Sequence, residues 1–97
     1  MFEVRFSEDA TRHLKGFSAR DQRIIVRAIE EQLTHQPAVP TRSRKQLRDN
    51  PLGAWELRVQ DFRVLYNIET AIVTVFVVAI AIKEGNKFII EGEEYSL

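Results

Sequence analysis

The stretch from Ala71 to Ile82 constrains this chain most: it is apolar except for Thr74 and dominated by valine, isoleucine and alanine. A membrane-crossing helix needs roughly 20 apolar residues, far more than this run supplies. β-Branched side chains are stiff at χ1 and pack well on a pleated surface. The run therefore predicts a central strand buried on both faces, one of them covered by helices. The rest of the chain must supply neighbours for that strand.

Upstream, Trp55, Leu57 and Val59 alternate with Glu56, Arg58 and Gln60, and after Asp61 the residues Phe62, Val64 and Tyr66 alternate with Arg63, Leu65 and Asn67. A period of two on either side of a tight turn predicts an antiparallel hairpin. A turn around Glu69 and Thr70 then leads into the central strand, giving a three-stranded meander. At the start of the chain, Phe2, Val4 and Phe6 alternate with Glu3, Arg5 and Ser7, predicting a first strand with one buried face. Gly85-Asn86 offers a turn before a short last strand, Lys87 to Ile90, followed by an acidic tail.

Helical signals fall between the first strand and the hairpin. Ser7 can cap a short helix with Glu8 and Asp9 near its positive end and Ala10, Leu14 and Phe17 at helical spacing. Ser18 with Asp21 opens a second helix whose Ile24, Ile25, Ala28, Ile29 and Leu33 form one apolar stripe. Arg20, Arg23, Arg27, Glu30 and Glu31 lie off the stripe as a solvated face. Pro37 and Pro40 stop this helix. A basic loop, Arg42 to Arg48, follows with Leu47 as its apolar anchor, and Asn50-Pro51-Leu52-Gly53 turns the chain into the hairpin. With 97 residues and 44% hydrophobic content, we expect one domain, 1–97, with one core. Its class is α+β, with two N-terminal helices on one face of a small, mainly antiparallel twisted sheet.

Composition excludes several chemistries. No cysteine is present, so there is no thiolate metal site, disulfide or cysteine nucleophile; this suits a reducing cytoplasm. The opening residues carry charge and lack the apolar core of a signal peptide, so we expect a cytoplasmic protein. The four glycines stand apart, without a phosphate-cradling loop, and the two histidines, His13 and His35, have no ligand-like partner at short helical spacing. No metal site or cofactor is expected. A formal net charge of zero argues against nucleic-acid binding by bulk charge, but the charge is uneven: the middle is basic and the end acidic.

Within the basic middle, Arg58 and Arg63 flank the hairpin turn symmetrically and should project from one face of neighbouring strands. Like charges side by side on a sheet suit an anion between them, a phosphate or a carboxylate; ion pairing with Glu56 is the alternative. Lys83, at the end of the central strand, would bring a third cation if that strand pairs with the second hairpin strand. Arg44, Lys45 and Arg48 extend the patch as phosphate contacts or form a solvated loop. Phe88 either stacks on a base or covers a core edge. Glu56 and Asp61 read better as salt-bridge and turn residues than as an acid/base pair. Glu91, Glu93 and Glu94 in the tail either fold against the basic loop or keep the end soluble.

The string from Trp55 to Tyr66 resembles the signature hairpin of RelE/ParE proteins, toxins of type II toxin–antitoxin pairs. The early strand with Ser7 and Ala10, the long second helix, the Lys45-Gln46-Leu47-Arg48 segment and the Val/Ile strand ending in Lys83 support it, so the resemblance covers nearly the whole chain. It implies a β-α-α-β-β-β order and a cognate antitoxin as partner. RelE-like members cleave messenger RNA in the ribosomal A site without a metal, whereas ParE-like members inhibit DNA gyrase. By the RelE-like analogy, Arg58 and Arg63 hold the scissile phosphate, Lys83 neutralises charge in the transition state, and Arg44, Lys45, Arg48 and Phe88 bind RNA. Departures are specific: Glu56 stands at a position that is basic in the best-known nucleases, Ala81 and Ile82 replace a glycine and a polar residue, and the tyrosine expected after Lys83 is missing. These favour the second reading, a gyrase inhibitor or an inactive antitoxin-binding member.

Overall fold

A computed structural model describes residues 1–96. Its elements are β1 (Glu3–Phe6), α1 (Glu8–Lys15), α2 (Ala19–Leu33), β2 (Arg44–Gln46), β3 (Trp55–Val59), β4 (Phe62–Glu69), β5 (Thr74–Glu84), β6 (Lys87–Ile90) and β7 (Glu93–Tyr95). The strands form one sheet in the order β2-β3-β4-β5-β6-β7, with β1 running parallel to β5 and every other pairing antiparallel. Both helix starts are capped as their sequences require: Ser7 Oγ accepts the Ala10 N–H at 3.0 Å and Ser18 Oγ that of Asp21 at 3.1 Å.

The central strand is buried on both faces. On one, Ile25, Ile29 and Leu33 of α2 and Ala10 of α1 pack over Leu57, Val64, Tyr66, Val75, Val77 and Ile80. On the other, Leu65, Ala79, Ala81, Phe88 and Ile90 make a smaller core closed by Leu47, Leu52 and Tyr95. The loop that carries Leu47 and Leu52 is drawn tight by Asn50, whose Oδ1 accepts from the Leu52 and Gly53 amides. Gly53 then lies so close to the sheet that a Cβ would come within 3.2 Å of Val78 Cγ2 and 3.3 Å of Leu65 Cβ. It is the close approach, rather than turn geometry alone, that requires glycine there.

One edge of β5 is shared. β1 pairs with Thr74 to Val77 and β6 with Ile82 to Glu84, leaving a gap between them. A bulge sits beside the gap: Leu65 pairs with Ala79 and Tyr66 with Val77, so Val78 has no partner on β4. Side chains of the N-terminal segment fill the place of a strand. Ser7 Oγ donates to the Val78 carbonyl at 3.3 Å, and the Ile80 N–H donates to Nδ1 of the buried His13 at 3.2 Å. His13, for which the sequence offers no ligand-like partner, is thus part of the hydrogen bonding of the sheet.

Two expectations are corrected, and one of the two readings of the tail is not met. The central strand starts at Thr74, not Ala71, because Thr70–Ile72 form a 3-10 turn that Val73 ends in the left-handed region (φ 50). Arg44 and Lys45 are not on a loop but in an edge strand paired with β3, and Arg44 points to the helix side. Its guanidinium is buried and donates to the Val39 carbonyl and to the Gln32 carbonyl and Oε1, at 2.8–2.9 Å. It thereby supplies the cation that the last turn of α2 itself lacks. The acidic tail does not fold against the basic segment; it forms β7, and Glu91 is held by Arg12 of α1 through two bonds of 2.8 and 3.0 Å. Tyr66 is locked nearby on the helix side, donating to the Pro37 carbonyl at 2.7 Å, and burial holds its phenol well above its ordinary pKa against the opposing charge of Arg44.

Two outcomes follow. Arg44→Ala strips three partly buried acceptors of their donor and should lower unfolding stability by about 2 kcal/mol, while exposed Lys45→Ala stays within about 0.5 kcal/mol; urea denaturation distinguishes them. The Glu91 carboxyl titrates below the ordinary glutamate value of 4.5, held there first by its hydrogen bond to Arg12. Its contribution is therefore present above pH 4.5 and lost as pH falls through the depressed folded value. Between about pH 6 and about pH 3, Glu91→Gln should lose less stability than the wild type on acidification.

Candidate functional site

The face of the sheet away from the helices carries the charged side chains of the hairpin. Period-two alternation sends Trp55, Leu57 and Val59 under the helices, and so turns Glu56 and Arg58 the other way, with Arg63 beside them on β4. Arg58 and Arg63 are directly opposed in the register. The Arg58 N–H donates to Ser43 of the β2 side at 2.7 Å, so the two arginines form a non-hydrogen-bonded pair, the type in which opposed Cα atoms approach to about 4.5 Å. Their turn contains Gln60 at φ 55, a left-handed conformation that a non-glycine residue holds only at some cost.

Arg63 is pre-set by this turn. Its Nη1 donates to the Gln60 and Phe62 carbonyls, both at 2.8 Å, and its Nε lies 3.9 Å from Glu56 Oε1. Glu56 is buried, so the ionic alternative read from sequence is formed, as a long contact on one side of the guanidinium. Arg58 is exposed. Lys83 joins the same end of the face: its backbone N–H donates to the Asp61 carbonyl in the hairpin turn at 2.7 Å. Its ammonium leans toward β6 and sits 5.1 Å from the Phe88 ring centroid. The structure therefore gathers Arg58, Arg63 and Lys83 on one end of one face, with Lys83 drawn away from the arginines.

The outlying residues separate. Lys45 pairs with Glu56 across β2 and β3 and is exposed on the same face. Arg44 leaves the patch for the reason given above. Arg48 borders a distinct cavity of about 420 Å³ between the Asn50 loop and Asn67, beyond the loop that covers Leu65. Phe88 takes the second of its two readings, covering a core edge: it is 4% exposed, and the reading of it as a base-stacking residue is corrected. Tyr95, placed in the tail by sequence, lies in a cross-strand row with Phe88 and Lys83. Its hydroxyl donates to Glu93 at 3.2 Å, which raises its pKa. The Glu91-Gly92 pair between two short alternating segments was the available signal for that hairpin. Among the described residues, no group of three or more His, Cys, Asp or Glu side chains is placed to hold a metal ion, and no helix is long and apolar enough to cross a membrane.

Residues 4–84 match the family of the ParE toxin of type II toxin-antitoxin system, parDE. The chain belongs to the ParE toxin family. As a member it is a toxin of the type II toxin–antitoxin class within the RelE/ParE superfamily. Its structure is similar to a chain of the toxin–antitoxin complex RelBE2 from Mycobacterium tuberculosis, with a TM-score of 0.73, 27% identity, and coverage of 84% of this chain and 98% of that one. It also shares its fold with the isolated E. coli RelE toxin, with a TM-score of 0.71, 17% identity, and coverage of 87% and 86%. No curated protein matches the sequence significantly. The two helices on a mainly antiparallel open sheet are thus the RelE-type arrangement.

Opposed arginines repel when nothing lies between them. Arg58→Thr should therefore stabilise this toxin-family protein by about 0.5 kcal/mol at low ionic strength, and the gain should shrink as salt screens the pair. Urea denaturation at two salt concentrations measures it.

Proposed function

We propose that this ParE-family toxin, acting in the cytoplasm as one domain, is a RelE-like ribosome-dependent endoribonuclease of messenger RNA, restrained by a cognate antitoxin. The observation that carries the reading is the opposed Arg58–Arg63 pair, with Lys83 on the same face and end. A phosphodiester seated between the arginines relieves their repulsion, and their charge is greatest where the transition-state phosphorane is most negative. Attack by the ribose 2′-hydroxyl on the adjacent phosphorus forms the new P–O bond and breaks the bond to the 5′-oxygen, the hydroxyl's proton passing to solvent and the 5′-oxygen taking a proton from solvent as it leaves. Lys83 stabilises that leaving oxygen. Lys45 and Arg48 extend the path for RNA phosphates. Positioning and electrostatics supply the catalysis, with no cofactor invoked. The similarity to a chain of the RelBE2 complex supports an antitoxin as partner.

Glu56 favours a second reading. A buried carboxylate 3.9 Å from Arg63 already offsets one of the cations, and the Tyr95 phenol is tied to Glu93. A protein so arranged fits a non-nuclease toxin that inhibits gyrase or an inactive member that only binds its antitoxin.

Induction of the wild type and of Arg58→Ala/Arg63→Ala in bacteria tests both. Under the nuclease reading, the wild type arrests growth with codon-phased cuts in translated messages, and the double substitution abolishes both. Arrest with intact messages transfers the reading to gyrase; the absence of arrest by a folded protein transfers it to an antitoxin-binding role.

A further inference from the structure

The gap in the β5 edge is closed by side chains alone, and a cavity lies on each side of it. One, of about 230 Å³, is walled by Phe17, Ile80, Ile82 and Ile89; the other, of about 220 Å³, lies toward Leu52 and Tyr95. Both share Arg12, His13 and Glu91 as their common border. We propose that this slot between α1 and the β6–β7 hairpin is a docking site for a partner-protein segment that carries a carboxylate side chain beside an aliphatic one.

Its own Glu91 shows what the slot recognises. The Arg12 fork grips that carboxylate through Nε and Nη2, at 2.8 and 3.0 Å, and His13 Nε2 lies 3.3 Å from Oε1. Because His13 Nδ1 accepts the Ile80 N–H, the neutral ring carries its proton on Nε2, the nitrogen that borders the carboxylate. The Arg12 fork is thus set for a planar anion before any partner arrives, with the polar edge of His13 beside it.

Glu91 itself is displaceable. Its side chain and that of Arg12 are 46% and 56% exposed, and exposed ion pairs contribute little. Its backbone is at φ 51, followed by Gly92 at φ 82, a two-residue hairpin turn in which asparagine or glycine is the less strained first residue. A carboxylate supplied by a partner would take the same donors, and the neighbouring aliphatic side chain would enter the cavity walled by Phe17 and the three isoleucines. Phosphate fits less well: Asp9 contacts Arg12 at 3.0 Å and Glu93 lies on the rim, so a doubly charged anion meets repulsion that a carboxylate meets more weakly.

Glu91→Asn tests it by installing an Asn-Gly turn while removing the competing carboxylate. The probe is a blocked pentapeptide with one glutamate flanked by leucines, compared with its glutamine counterpart and with inorganic phosphate. Binding is followed by NMR at the Ile80 amide and the His13 ring nitrogens. The glutamate peptide should give saturable shifts in Glu91→Asn, about tenfold weaker binding to the wild type, and about tenfold weaker binding of the glutamine peptide. Adding Arg12→Ala should abolish the shifts. No saturable shift in the folded variant, equal binding of both peptides, equal binding to wild type and variant, or stronger binding of phosphate would each overturn the proposal. If Glu91→Asn fails to fold, Glu91→Gln permits the same comparison within the native turn.

Discussion

The fold depends on a single strand being buried from both sides. Apolar residues on alternate faces of β5 are satisfied by helices above and by a loop and two short strands below. A strand with no solvent face tolerates no register error, since a slip of one residue exchanges the two sets of side chains. The bulge at Val78 is therefore a defined part of the architecture. It resets the alternation midway, so that Val75 and Val77 face the helices before it and Ile80 after it. It also lies where β1 ends and β6 has not begun, and so the backbone groups at Val78 and Ile80 must be satisfied by Ser7 and His13.

Most of this was legible in the sequence wherever hydrophobic period and capping agreed. The α2 stripe, the Trp55–Tyr66 hairpin and the two serine caps were readable because each rests on contacts within a few residues or across one turn. Pairings between distant segments were not. Nothing in Glu3 to Phe6 says that they lie parallel to β5, and nothing near His13 says that its ring accepts from Ile80. Arg44 is instructive: within a run of basic residues it looks solvated, yet β2 pairing turns alternate residues to opposite sides, placing Arg44 under the end of α2 and Lys45 in solvent. The same alternation made the Arg58–Arg63 placement readable, because the turn between them fixes their register. Phe88 was ambiguous for want of its cover, which comes from loop and tail residues with no periodic signature.

The arrangement at the hairpin tip follows from that alternation and has an electrostatic consequence. Non-hydrogen-bonded opposition brings two guanidinium groups together at the end of a strand pair, where the sheet has no further residue to separate them. Arg63 is constrained by two carbonyls of its own turn, while Arg58 remains in solvent. One cation is thus pre-organised and the other adaptable, a combination that lowers the ordering cost of gripping an anion without fixing its orientation completely.

Charge balance connects the hairpin to the slot at the other side of β5. In each place an arginine is held beside a glutamate from a neighbouring strand or turn: Arg63 with Glu56, and Arg12 with Glu91. The two pairs differ in burial, and this decides their behaviour. Glu56 and Arg63 are both about nine-tenths covered, with side chains 10% and 11% exposed, so removing either leaves a charge in poor solvent and the pair resists separation. Arg12 and Glu91 are bathed in solvent on one side, where water can take either partner's place at little cost. A zero net charge therefore does not describe a surface without anion-binding capacity. It describes cations matched to internal carboxylates, firmly at the hairpin and loosely at the slot, and the loose match is the one an incoming acidic segment can exchange.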